Sequence, residues 1–191
     1  MNTLRSFLRP RTLVAIAAAG VLAACADDTA VGPDAQPPVV AKAAGSPAET
    51  IALSRVVATL QRVTARYHDL DVAIADGFVL LHPCEDRPGE GPVGTVYVHF
   101  GRLLDGIADP SSPDALVYEP AGPSGRPKLV GVEFAIPYVL WSDPAPPEFM
   151  GHAFQREDEF GVFGLHIWVW RNNPNGLFEE ANPKVSCGPE A

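Results

Sequence analysis

The sequence predicts an α+β fold, with an N-terminal amphipathic helix packed on a mostly antiparallel curved sheet or partial barrel. Three observations carry this. One long helical pattern opens the domain, and apolar runs of strand length follow it. Few helical patterns lie between those runs, so nothing is available as crossovers between parallel strands.

Ser46-Pro47-Ala48-Glu49 has the makings of a helix start. Ser46 can cap, Pro47 suits the first turn, and Glu49 can reach back to the cap. Leu53, Val57, Leu60, Thr64 and Tyr67 then recur at steps of four and three, with Val56 and Val63 widening the stripe. That spacing predicts a helix over roughly 47–67, with Arg55, Arg62 and Arg66 toward solvent. A second short helix is expected from Asp69 to Asp76, stopped by Gly77. Strands are predicted at Phe78–Leu81, Thr95–Phe100 and Leu116–Glu119. Leu129–Val139 alternates, with Val130, Val132, Phe134 and Ile136 on one face and Leu129, Gly131, Glu133 and Ala135 on the other. Phe163–Trp170 is apolar on both faces and reads as a central strand covered on both sides. Asn173-Pro174-Asn175-Gly176 has turn chemistry at each position and should send the tail back toward Cys84. Between these runs, Gly151–Glu159 reads as a flap over a pocket or a solvated loop.

Ahead of the domain, Arg5, Arg9 and Arg11 precede an apolar run from Leu13 to Leu22. This is the order of a secretory signal peptide, and the run is too short for the ~20 apolar residues of a membrane span. Its ending, Leu22-Ala23-Ala24-Cys25, resembles the lipobox of bacterial lipoproteins. The resemblance implies cleavage after residue 24, lipidation of Cys25 and anchorage by several acyl chains, which hold a membrane stably. It also implies a place in the cell envelope. The outer membrane is favoured where the host has one, since Ala26 rather than aspartate follows the cysteine. Residues 25–45 carry Pro33, Pro37 and Pro38 and no aromatic residue, which predicts a disordered tether. Residues 46–191 are then one domain, long enough for a real core.

Removing the signal peptide takes three arginines and no acid from a chain of formal charge −9, leaving −12. Nucleic acid and anionic lipid are poor partners for such a surface. Two cysteines remain, Cys84 and Cys187. In an oxidising compartment they are expected as a disulfide, against readings as buried thiols or a metal pair. The bond would close a loop of about 100 residues, for which the chain-entropy treatment gives up to ~4.7 kcal/mol.

No stretch spells out a nucleophile elbow, an H-E-x-x-H or C-x-x-C motif, or a phosphate-cradling loop. What stands out is polar residues inside apolar strands. His99 ends Val96-Tyr97-Val98-His99, and Glu119 ends Leu116-Val117-Tyr118-Glu119. Glu133 sits in Val132-Glu133-Phe134, and His166, on the expected face of Trp168 and Trp170, in Leu165-His166-Ile167. A buried carboxylate needs a partner or a raised pKa. Three readings follow: His99, His166 and Glu133, with Glu119 as a fourth, converge on zinc or iron; they form a satisfied structural network; or they bind a small organic ligand.

From about Tyr67 to Cys187 the chain carries a series of short motifs. They are Ala75-Asp76-Gly77-Phe78, Cys84, Val96-Tyr97-Val98-His99 and Leu116-Val117-Tyr118-Glu119-Pro120, followed by Leu129-Val130-Gly131-Val132-Glu133. Leu165-His166-Ile167-Trp168-Val169-Trp170, Asn173-Pro174-Asn175-Gly176 and Val185-Ser186-Cys187 complete the set. In these the chain resembles a family of secreted bacterial proteins with no assigned activity. Phe100-Gly101 departs from that pattern, which expects a small polar residue after the aromatic one. The resemblance implies export and includes the four in-strand polar positions, and it brings no mechanism. The expected function is a lipid-anchored envelope protein that binds a small ligand. The alternatives are a metalloenzyme using His99, His166 and Glu133, with Glu119 as base or fourth ligand, and a structural or protein-interaction lipoprotein.

Overall fold

A capping box starts the first helix. Ser46 Oγ accepts from the Glu49 amide at 3.3 Å and the Ser46 amide donates to Glu49 Oε2 at 2.5 Å. The helix α1 then runs Pro47–Thr64 and tightens into a 3₁₀ turn at Ala65–His68. The computed structural model describes residues 46–122 and 125–188. The signal-peptide, Cys25 and tether expectations fall on residues 1–45 and lie outside the described residues. Asp69 caps the short helix α2, Leu70–Ala75, through the Asp71 amide. Gly77, at φ +99°, ends it in a conformation that favours glycine.

Six strands follow: β1 Val79–His82, β2 Thr95–Val98, β3 Ala115–Glu119, β4 Lys128–Pro137, β5 Gln155–Glu157 and β6 Val162–Ile167. They form one sheet in the order β1-β2-β3-β4-β6-β5, antiparallel at every pairing. The sheet is open, with β1 and β5 at its edges, and does not close into a barrel. The strand expected to be central, β6, is covered on both faces but stands one place from the edge. A one-turn helix, α3 Phe100–Leu103, ends β2 where a longer strand was expected.

Strand parity divides the side chains into two layers. Leu116, Tyr118, Val132, Phe134, Ile136, Phe163, Leu165 and Ile167 face α1 and α2 and pack with Leu60, Tyr67, Ala73 and Phe78. Hydrogen bonds pin the layer: Tyr118 Oη donates to the Tyr67 carbonyl at 2.6 Å and Gln61 Nε2 to the Val169 carbonyl at 2.7 Å. The opposite layer is made of smaller residues, Val96, Val98, Ala115, Ala135 and Val162, continued by Val117, Val130, Trp168 and Val185. It is covered by the segment from Pro83 to Val93, with its short ladder Asp86–Arg87 to Gly91–Pro92, and by the C-terminal tail.

Two face assignments need correction. The register between β3 and β4 shifts between Val117 and Tyr118, where Val117 pairs with Gly131 and Tyr118 with Leu129. The extra residue is Val130, which turns to the Trp168 layer while Leu129 joins the helix layer. A bulge exchanges faces in this way, and period-two counting cannot foresee it. Trp170 also lies beyond the end of β6, so its face is not that of His166. Its indole reaches the helix side and donates to Thr64 Oγ1 at 3.0 Å.

The tail behaves as expected. Asn173 Oδ1 accepts from the Asn175 amide at 3.0 Å, Gly176 takes φ +145°, and the chain returns so that Leu177 O accepts from Trp168 N at 3.0 Å. Cys187 is thereby brought to Cys84 and the disulfide forms, with Cα atoms 5.2 Å apart. Neither the free-thiol nor the metal-pair alternative survives for these two residues.

Candidate functional site

Glu133 and His166 are direct cross-strand partners on β4 and β6, so their side chains leave the same face of the sheet together. Both are buried, at 4% and 3% exposure. His166 Nε2 stands 4.0 Å from Glu133 Oε2. On the edge strand, Glu157 pairs with Val162 and so points into the same layer. One donor atom each of Glu133, Glu157 and His166 lie within 4.8 Å of one another. Glu180, from the returning tail, meets the other ring nitrogen, His166 Nδ1, at 3.2 Å. Arg87, from the segment beyond Cys84, donates to Glu180 Oε1 at 3.0 Å. Arg87 and Glu180 lie on the two covering segments that the Cys84–Cys187 disulfide joins.

Space for the acids is made by Gly164. A Cβ there would fall 2.8 Å from Glu133 Oε1 and closer still to the Glu157 carboxylate. Between the groups lies a cavity of about 20 Å³, lined also by His82, Leu81, Val96 and Phe160. That is room for one water or one ion, since ~10–15 Å³ suffices for a water. Two polar atoms of the cluster, His166 Nε2 and Glu157 Oε1, are buried and have no hydrogen-bond partner. A wider, open groove beside the disulfide, with Thr95, Tyr97, Pro120 and Val185 in its walls, brings no such set of groups together.

Electrostatics divides the cluster in two. Burial alone would raise Glu180, yet the His166 imidazole and the Arg87 guanidinium hold its carboxyl down to about 2. Burial alone would lower His166, but Glu180 and Glu133 lift it to about 9. Glu133 is pushed well above the carboxylate range by burial and then by the charge of Glu157. Glu157 is raised by burial and by Glu180. Around neutral pH the ion pairs are therefore His166–Glu180 and Arg87–Glu180, while burial holds the Glu133 and Glu157 carboxyls above the ordinary carboxylate range.

The four residues singled out in the sequence separate. Glu133 and His166 come together as proposed. His99 alternates with Val98 onto the helix side, its ring edge against Phe78 at 5.4 Å. Glu119 pairs with Arg171 and Lys128 at the far end of β3, roughly 13 Å along the strand from the partner of Glu133. Neither lines the cavity. Glu157, Glu180 and Arg87 were missed. Glu157 lies in a stretch taken for a flap or solvated loop, Gly151–Glu159, which instead holds β5. Glu179-Glu180 offers only a short charged pair near the end of the chain, and the one available signal is that it lies between the turn and Cys187. Asp114 is a further buried acid, accepting from the Ala135 amide at 2.9 Å and raised by burial to about 7. With no family model, curated protein or solved structure matching the chain, the function rests on the geometry of this site.

Proposed function

We propose that this chain is an exported, lipid-anchored protein of the bacterial cell envelope whose domain binds a small ligand in the pocket of Glu133, Glu157 and His166. One observation carries the pocket. Buried polar groups are nearly always partnered, yet His166 Nε2 has no hydrogen-bond partner, and His166 lines the same 20 Å³ cavity as Glu133 and Glu157. The lipobox-like ending at Cys25 and the resemblance to secreted proteins support the location, and a Cys84–Cys187 bond suits an oxidising compartment. The acidic surface leaves nucleic acid aside as a partner.

Any ligand that binds the native state raises the melting temperature by mass action. The purified chain should therefore show a rise with at least one small ion or molecule, and Glu133→Ala should abolish it. A panel of ions and small metabolites that leaves the wild type unmoved sinks the pocket. Cys25→Ser should remove lipid labelling and leave the precursor uncut, and a lipidated mutant sinks the anchor. A metalloenzyme is the second reading. What favours it is a set of three donor residues, because three protein ligands leave a coordination position open to water or substrate.

A further inference from the structure

We propose that Glu133, Glu157 and His166 hold one divalent first-row transition-metal ion, with Glu180 fixing the imidazole that binds it. The inference rests on the pocket reading and names its ligand.

His166 supplies the independent observation. Its Nδ1 is engaged by Glu180 at 3.2 Å, so the remaining nitrogen, Nε2, is the one aimed at the carboxylates. His166 is only 3% exposed, and its Nε2 has no hydrogen-bond partner. A metal-binding histidine is held in this way, one ring nitrogen on a carboxylate and the other on the ion. Glu180 is itself fixed by Arg87 at 3.0 Å.

The donors are spaced for one ion after a small contraction. They lie within 4.8 Å of one another, and nitrogen and oxygen ligands at ~2.0–2.2 Å from a shared ion sit about 3–3.5 Å apart. The cavity admits an ion and excludes an organic molecule. Gly164 keeps clear the space that a Cβ would take from both carboxylates.

Charge gives the same answer. Three carboxylates, of Glu133, Glu157 and Glu180, face the guanidinium of Arg87 and the His166 imidazole, with His82 also in the cavity wall. With the imidazole neutral, a divalent ion balances the set. The ligand types choose the class of metal. One imidazole and two carboxylates suit zinc, iron or manganese, and no thiolate or thioether is present in the set to select copper(I). Calcium takes ~6–8 oxygen ligands, more than the cluster provides, and magnesium keeps several waters, for which a cavity of about 20 Å³ has no room.

The test uses the full chain purified from an exporting host, stripped with chelator and dialysed. Calorimetric titration with Zn²⁺, and separately with Mn²⁺, should show one ion per chain. Glu157→Gln, on the edge strand, should weaken binding at least 100-fold with an unchanged circular dichroism spectrum. Glu180→Gln should weaken it about 10–100-fold, as loss of a residue that orients a ligand does. X-ray absorption of the Zn²⁺-loaded wild type needs no variant, and should show nitrogen and oxygen neighbours with one imidazole. A sulfur neighbour, two or more imidazoles, no bound ion, or equal affinity in Glu157→Gln overturns the proposal. If no metal binds but another probe raises the melting temperature of the wild type and not of Glu157→Gln, the metal falls and the pocket stands. If no probe does so, both fall.

Discussion

On the helix-covered face of the sheet, large apolar side chains meet and polar ends are matched. Trp170 donates to Thr64, Thr64 to the Leu60 carbonyl, Tyr67 to Asp76 and Tyr118 to the Tyr67 carbonyl. The His99 Nδ1 atom is an exception. The other face of the same strands is lined by Val, Ala and Gly and covered by two irregular segments. Those segments bring Arg87 and Glu180 down onto Glu133 and His166. A helix can present a continuous apolar stripe to a sheet, whereas loops cannot, and a sheet face built of small residues beneath them leaves depth for carboxylates. Chemistry therefore collects where the cover is irregular.

The largest expected effect breaks the dry side. Phe134 is fully buried between the sheet and the hairpin Glu148–Ala153, its ring 5.0 Å from Phe149. Phe134→Ala should cost about 3–5 kcal/mol in denaturant unfolding. A loss below about 1 kcal/mol would mean that this layer is not the core.

Next comes the clamp on the other side. Cys84 and Cys187 are 103 residues apart, and removing such a bond typically costs about 2–4 kcal/mol. Replacing both by serine should loosen the tail first. The Asn182 and Val185 amides, bonded to the Pro92 and Asn182 carbonyls, should exchange faster, while the helix amides of α1 keep their protection. Equal acceleration in both would show that the two layers open as one.

That asymmetry also explains what could be read from the sequence. The first helix was legible because a capping box and an apolar stripe are local signals, and the strands because their apolar runs are continuous. Glu133 and His166 were legible as polar residues where strand periodicity left no solvent. Glu157 and Glu180 were not, because each sits beside other acids in Glu157-Asp158-Glu159 and Glu179-Glu180. Such clusters ordinarily mark a solvated surface, and only the pairing of β5 with β6 and the return of the tail bury them. His99 misled for a related reason. Its strand forms but stops at Val98, and His99, capping α3, shares the parity of Tyr97 and lies on the helix side.

A smaller effect separates the faces by pH. Burial raises Asp114 to about 7 from the ordinary 3.8. Between those values the folded chain keeps a proton that the unfolded chain has released. Stability from this group is thus fully present below about pH 4 and is lost as pH rises through about 7. His166, raised to about 9 from 6.5, continues the decline from about pH 6.5 to 9. Glu180 acts in the opposite sense, losing stability as pH falls through about 2. In metal-free protein, Asp114→Asn should reduce the slope between pH 4 and 7, which Glu133 and Glu157 share. An unchanged slope would place the titrating proton elsewhere.

The smallest expected effect is one residue away from the largest. Glu133 and Phe134 are neighbours on β4 pointing to opposite faces. Burial and the Glu157 charge keep the Glu133 carboxyl protonated well above the usual range. Its neutral form is nearly the shape of glutamine, so in metal-free protein at pH 7 Glu133→Gln should alter stability by less than about 1 kcal/mol. Breaking a buried pair whose members are both charged would cost about 3–5 kcal/mol instead, which makes denaturant unfolding a direct test of the protonation state. The difference should also drift with pH. As the wild type is driven to ionise Glu133 in alkaline solution it loses stability that the amide cannot lose, so the variant should gain on it above neutrality. A large loss at pH 7 that shrinks on acidification would show that Glu133 is ionised in the folded chain and paired with His166 across the 4.0 Å gap.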